Sequence, residues 1–156
     1  MLHHISISVD DPLHVAKVIA EILYGRVVPF AICYGSYIVL EGDKYGTAIE
    51  LLPSGIEMRL KQKKVVYEHN AHQSQFSSTH VTISVPISQY EIEQIAMREG
   101  WRISVSDRSQ FKVIEFWVEN KFLLELMTPI MSNQYLKYMK LKKLEFQTQA
   151  TTFTSS

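Results

Sequence analysis

One block of sequence occurs twice. Residues 4–9 read His-Ile-Ser-Ile-Ser-Val and residues 80–85 read His-Val-Thr-Ile-Ser-Val. Further along, residues 49–53 read Ile-Glu-Leu-Leu-Pro and residues 124–129 read Leu-Glu-Leu-Met-Thr-Pro. His4 and Glu50 are 46 positions apart, and His80 and Glu125 are 45 apart. A repeat of this length means two copies of one structural unit, each with its own hydrophobic face to bury.

Periodicity describes the unit. Residues 2–9 alternate, with Ile5, Ile7 and Val9 on one side and His4, Ser6 and Ser8 on the other, which is the pattern of a half-buried strand. Asp10 or Asp11 can cap a helix over 12–23 that opens on Pro12, with Gly25 as its stop. Strands are expected at 26–34, 36–41 and 47–52, separated by Gly35 and by the region from Gly42 to Gly46. The second copy repeats the plan. A strand spans 79–85, Ser88 caps a helix that Gly100 closes, and strands follow at 101–106, 111–118 and 122–127, with Glu119-Asn120-Lys121 as a hairpin turn. The chain therefore divides into βαβββ modules at 1–53 and 79–129, a polar linker at 54–78 with a short element near 65–67, a C-terminal helix at 130–146 and a disordered tail at 147–156. That helix is expected to carry Tyr135, Leu136, Met139 and Leu144 on its apolar side. Two ferredoxin-like halves are disfavoured, because three strands follow each helix.

The two glutamates carry the chemistry. Each stands in an apolar strand, where an unpaired carboxylate costs about several kcal/mol to bury. It must be exposed, paired with a cation or bound to a metal. If the first and last strands of a module are neighbours, His and Glu share one concave face. Two such faces together supply two imidazole nitrogens and two carboxylates, a set suited to one divalent ion such as Zn, Ni, Co, Mn or Fe(II). The plain alternative is two strand histidines and two surface glutamates kept by duplication.

This pattern, a His opening the first strand of a βαβββ module and a Glu in its last, resembles the vicinal oxygen chelate superfamily of glyoxalases, extradiol dioxygenases and bleomycin-resistance proteins. The resemblance runs from about Leu2 to Pro129. It implies an α+β fold of two tandem modules forming facing curved mixed sheets, glyoxalase-like, with the C-terminal helix added. It places His4, Glu50, His80 and Glu125 at the metal, and makes Glu125 or Glu50 the catalytic proton carrier. The implied activity is metal-stabilised enolate proton transfer on a small substrate with adjacent oxygens, in the lyase, isomerase or epimerase range. The alternatives are a metal-free small-molecule binding protein of the bleomycin-resistance type and an Fe(II) extradiol-type dioxygenase. Counterparts of the Arg and Asn residues that grip glutathione in glyoxalase I are missing.

Ser6, Phe30, Thr82 and Trp117 are expected to line the substrate pocket, and Glu115, Glu119 and Arg102 are further polar candidates. His3 reads as structural and His14 as solvent-facing, while His69 and His72 could share a helical face. Lys plus Arg and Asp plus Glu each number 16. The basic stretches at 61–64 and 137–143 are short and mixed, so no nucleic-acid partner is expected. No apolar run approaches the ~20 residues of a membrane span. The opening lacks a secretion signal, and a single cysteine fits a reducing compartment, so the cytoplasm is the expected location. Module pairing within one chain or between two is open, with a homodimer favoured.

Overall fold

Alternation from His4 makes β1 (His4–Val9) a strand with Ile7 and Val9 buried and His4 exposed. Asp11 caps α1 (Pro12–Leu23) by accepting from the His14 N–H at 3.0 Å, and Pro12 takes a position whose N–H needs no partner. Gly25 was the expected stop, but Tyr24 is the C-cap, in the left-handed region at φ 52. Gly25 is required for a different reason. A Cβ there would lie 2.8 Å from the Leu40 carbonyl oxygen, so only glycine lets the chain turn back against the sheet.

The structure is a computed structural model describing residues 2–153, with side chains for 2–145. After α1 come β2 (Arg26–Pro29), β3 (Tyr37–Leu40) and β4 (Ala48–Pro53), then the hairpin β5 (Ile56–Lys61) and β6 (Lys64–His69). The second module is β7 (Val81–Ser84), α2 (Gln89–Glu99), β8 (Ile103–Asp107), β9 (Lys112–Val118) and β10 (Phe122–Met127), and α3 (Pro129–Phe153) closes the chain. The first sheet has the order β1-β4-β3-β2 and the second β7-β10-β9-β8. In both, the module's first strand, at one edge, runs parallel to its last strand, and the other pairings are antiparallel. The two mixed sheets face each other, and the duplication is complete at the level of topology. Among the described residues, no helix is long and apolar enough to cross a membrane.

Buried apolar residues of both modules form one core, with Val15, Ile19 and Leu51 from the first and Ile92, Phe116 and Leu126 from the second. Three elements and one histidine pair differ from their expected form. The run 26–34 stops as a strand at Pro29, and the chain then turns until Gly35, at φ 80. The segment 54–78 is more than a linker, since it holds the β5–β6 hairpin. His69 ends β6 and His72 lies in the loop after it, so they share no helical face. Helix α3 continues past 146 to Phe153, so the segment expected to be disordered is helical over 147–153; residues 154–156 lie outside the described residues. Of the apolar side expected for α3, Tyr135 packs against Phe111 with ring centroids 5.0 Å apart, while Leu136 and Met139 are exposed.

Polar contacts join the modules. Arg98 on α2 donates to both Glu21 oxygens on α1 at 3.1 and 2.8 Å, and His14 meets Glu99 at 2.5 Å. Glu119, in the β9–β10 turn, accepts from the backbone N–H groups of Asp10 and Asp11 at 2.6 and 2.8 Å, just where α1 begins. A carboxylate at a helix N-terminus is favoured by the orphan donors there. Burial pushes the Glu99 carboxyl up, but Arg98 and His14 outweigh it and hold it below the ordinary value of 4.5. The ionised form is thus favoured on folding. Its stabilising contribution is full above the unfolded value and is lost as the pH falls through the folded one. The stability gap between wild type and Glu99→Gln, measured by urea unfolding, is expected to be largest at neutral pH and to close as the pH drops below about 4.5.

Candidate metal centre

Strand pairing puts the repeated residues in register. Ser6 pairs with Glu50 across β1 and β4, and Thr82 pairs with Glu125 across β7 and β10. His4 and His80 each precede the hydroxyl residue by two positions, so each module presents His, Ser or Thr, and Glu on the same sheet face. That face is opposite the one carrying Ile5, Ile7 and Val9.

The geometry within each module is similar. The Ser6 hydroxyl donates to Glu50 Oε2, and the Thr82 hydroxyl donates to Glu125 Oε2 at 2.6 Å. In both cases Oε2 is tied and Oε1 is turned elsewhere. Glu50 Oε1 lies 3.9 Å from His4 Nε2. Two donors bound to one metal stand roughly 3 Å apart, so a small rotamer adjustment would make this pair a chelate. Ser6 and Thr82, expected to line the substrate pocket, orient the carboxylates, the task that outer partners perform at metal sites, and Thr82 also lines the cleft between β1 and β7.

The modules differ at the second glutamate. Glu125 is 8% exposed, and its Oε1 accepts from Arg108 Nη2 at 2.9 Å. Burial pushes this carboxyl up, but the Thr82 hydroxyl and the Arg108 guanidinium, with the His80 ring nearby, outweigh it and hold the carboxyl below the usual range. Glu115, opposite Glu125 on β9, accepts from Ser104 at 3.0 Å and from Arg108 at 3.3 Å. Arg108 escaped the sequence reading, because a residue in a turn gives no sign of the strand partner it will reach. Trp117 shares this face, half-buried opposite Leu123, and Phe30 follows β2, also half-buried. Glu119 and the Arg102 backbone N–H are engaged elsewhere, the latter with Asn120 at 2.7 Å. His3 fits its structural role, with Nδ1 2.7 Å from the Tyr45 carbonyl oxygen. His14 is not simply solvated, since it meets Glu99.

The two pairs do not converge within one chain. Among the described residues, no group of three or more His, Cys, Asp or Glu side chains is placed to hold a metal ion. A cleft of about 340 Å³ between β1 and β7 is lined by His4, Ile5, Ala48, Thr82 and Ser84, but not by Glu50, His80 or Glu125. The donor types, an imidazole and a carboxylate in each module, are of the kind that suits a divalent cation.

Comparison with solved structures supports the fold. The fosfomycin resistance protein FosX from Listeria monocytogenes, complexed with Mn(II) and sulfate ion, is 13% identical, with a TM-score of 0.56 over 88% of this chain and 96% of that chain. FosX from Mesorhizobium loti is 12% identical, with a TM-score of 0.53 over 86% of this chain and 96% of that one. A glyoxylase/bleomycin resistance protein/dioxygenase domain from Frankia sp. is 16% identical, with a TM-score of 0.52 over 82% and 96%. No family model and no curated protein matches the sequence. Likeness at this identity shows a glyoxalase-like fold, as the resemblance implied.

Proposed function

We propose that this chain is a divalent-metal enzyme of the glyoxalase-like class, acting on a small substrate with adjacent oxygens, and that it works as a pair of copies. His4 and Glu50 of one copy and His80 and Glu125 of a second would hold the ion. One observation carries the reading: two matching His–hydroxyl–Glu sets lie on corresponding sheet faces, and neither is sufficient alone. A second copy supplies what a single chain lacks. FosX, of the same fold, has been solved with Mn(II).

When bound, the metal would act as a Lewis acid on the substrate oxygens. The remaining roles belong to the chain. In the metal-free protein Arg108 holds Glu125 ionised, the form that suits a metal ligand rather than a proton acceptor. Glu50 is contacted by Ser6 and His4 and has no guanidinium contact among the described residues. Glu50 is therefore the better proton carrier, with the Ser6 hydroxyl orienting its carboxylate. Trp117, on the Glu125 face, would help exclude water.

The Arg108–Glu125 pair also favours a second reading, a metal-free binding protein in which the guanidinium replaces the ion for good. Metal analysis after dialysis against Mn(II), combined with light scattering, separates the two. The enzyme reading expects a dimer holding about one ion per chain, and expects His4→Ala with Glu50→Ala to abolish the ion while the dimer persists. A monomer, or a dimer that binds none of Mn, Zn, Ni, Co or Fe(II), sinks that reading.

A further inference from the structure

The second half-site contains a pair of residues that the first lacks. Glu50 stands opposite Ile38 on β3, whereas Glu125 stands opposite Glu115 on β9. Two carboxylates directly across a strand pair repel each other unless a cation lies between them. Arg108 Nη2 is that cation, 2.9 Å from Glu125 Oε1 and 3.3 Å from Glu115 Oε1. Ser104 holds the other Glu115 oxygen, so Glu115 is fixed in place whatever Glu125 does. The Arg108 and Glu125 contact uses Oε1, the oxygen that the matching module leaves beside its histidine.

We propose that Arg108 is a place-holder for the metal: it occupies Glu125 Oε1 in the metal-free protein and withdraws onto Glu115 when the ion binds. The inference rests on the metal reading above and gives Glu115 a role as the acceptor that keeps the displaced guanidinium. Binding then exchanges one cation for another at Glu125. A partly buried carboxylate is never left bare, and the site trades metal affinity for order in the metal-free state.

Titration of Mn(II) into the dimer by calorimetry tests this, with wild type, Arg108→Gln, Glu115→Gln and the double variant, each first checked for wild-type circular dichroism. Arg108→Gln is expected to bind Mn(II) about tenfold more tightly, because a charge-assisted hydrogen bond no longer competes. Glu115→Gln is expected to bind it more weakly, because the guanidinium loses its alternative acceptor. The sign of these two changes alone would also follow from net charge, so the double variant decides. A place-holder requires the Glu115→Gln effect to shrink several-fold once Arg108 is gone, whereas simple charge effects add. Additivity, or an Arg108→Gln affinity equal to or below that of wild type, overturns the proposal. If Arg108→Gln fails the folding check, Arg108→Lys stands in, with an expected affinity above wild type because the planar fork is lost. Wild type that binds Mn(II) while the variants disagree sinks the place-holder alone; no Mn(II) binding by any of the four proteins sinks the metal reading as well.

Discussion

Glu125→Ala is expected to lower Mn(II) affinity by about a hundredfold or more while costing little stability. The affinity loss follows from removing a ligand, which exceeds the roughly 10–100-fold cost of removing an outer-shell partner. The small stability cost follows from what is left behind. Arg108 keeps Glu115 as a partner, and the Thr82 hydroxyl can turn to water, so no buried charge is stranded. Calorimetry and urea unfolding of the same preparation read both quantities. Thr82→Val, which removes only the orienting hydroxyl, should fall between wild type and Glu125→Ala in affinity. If Glu125→Ala stays within about threefold of wild type, Glu125 is not a ligand and the metal reading fails at its second half-site.

Phe116→Ala should have the largest effect on stability, costing about 3–5 kcal/mol. Phe116 is 0% exposed, and its ring meets Trp101 edge-on with centroids 5.5 Å apart. The loss therefore combines a large cavity with a broken aromatic pair. For a chain of this size the thermal midpoint should fall by about 10 °C. Because the core runs through both modules, the unfolding followed by circular dichroism should remain one transition, shifted as a whole. Two separate transitions, with only one moved, would show that the modules are stable independently of each other.

The parts of this architecture that could be read from the sequence are those set by alternation and register. Because side chains in a strand repeat every two residues, the echo of His4, Ser6 and Glu50 as His80, Thr82 and Glu125 shows which residues share a face. Three parts could not be read this way. The β5–β6 hairpin lay inside a polar stretch, and its turn is made by Gln62 at φ 55, where no Gly or Asn announces a reversal. The length of α3 was hidden by a Ser- and Thr-rich end that resembles disorder. Arg108 depends on the reach of a side chain from a turn to a neighbouring strand, which no local pattern encodes. Nor could sequence decide whether the two His–Glu pairs meet within one chain, since the repeat would look the same in either arrangement.

The β5–β6 hairpin bears on how the protein behaves in crowded solution. Cross-strand pairing puts Met58, Leu60, Val65 and Tyr67 on one side, yet this side faces outward, with Met58 55%, Val65 60% and Leu60 77% exposed. A two-stranded ribbon also has bare backbone edges on which further strands could add. The chain has a formal net charge of zero, so whole-molecule repulsion does not keep copies apart. Lys61 is paired with Glu68, so that task falls to Lys63 and Lys64 at the ribbon's tip, whose repulsion reaches only about 8 Å at physiological salt. At this ribbon, protection against self-association thus rests on two like charges at one end, and a change that neutralises them leaves an apolar edge facing its own copies.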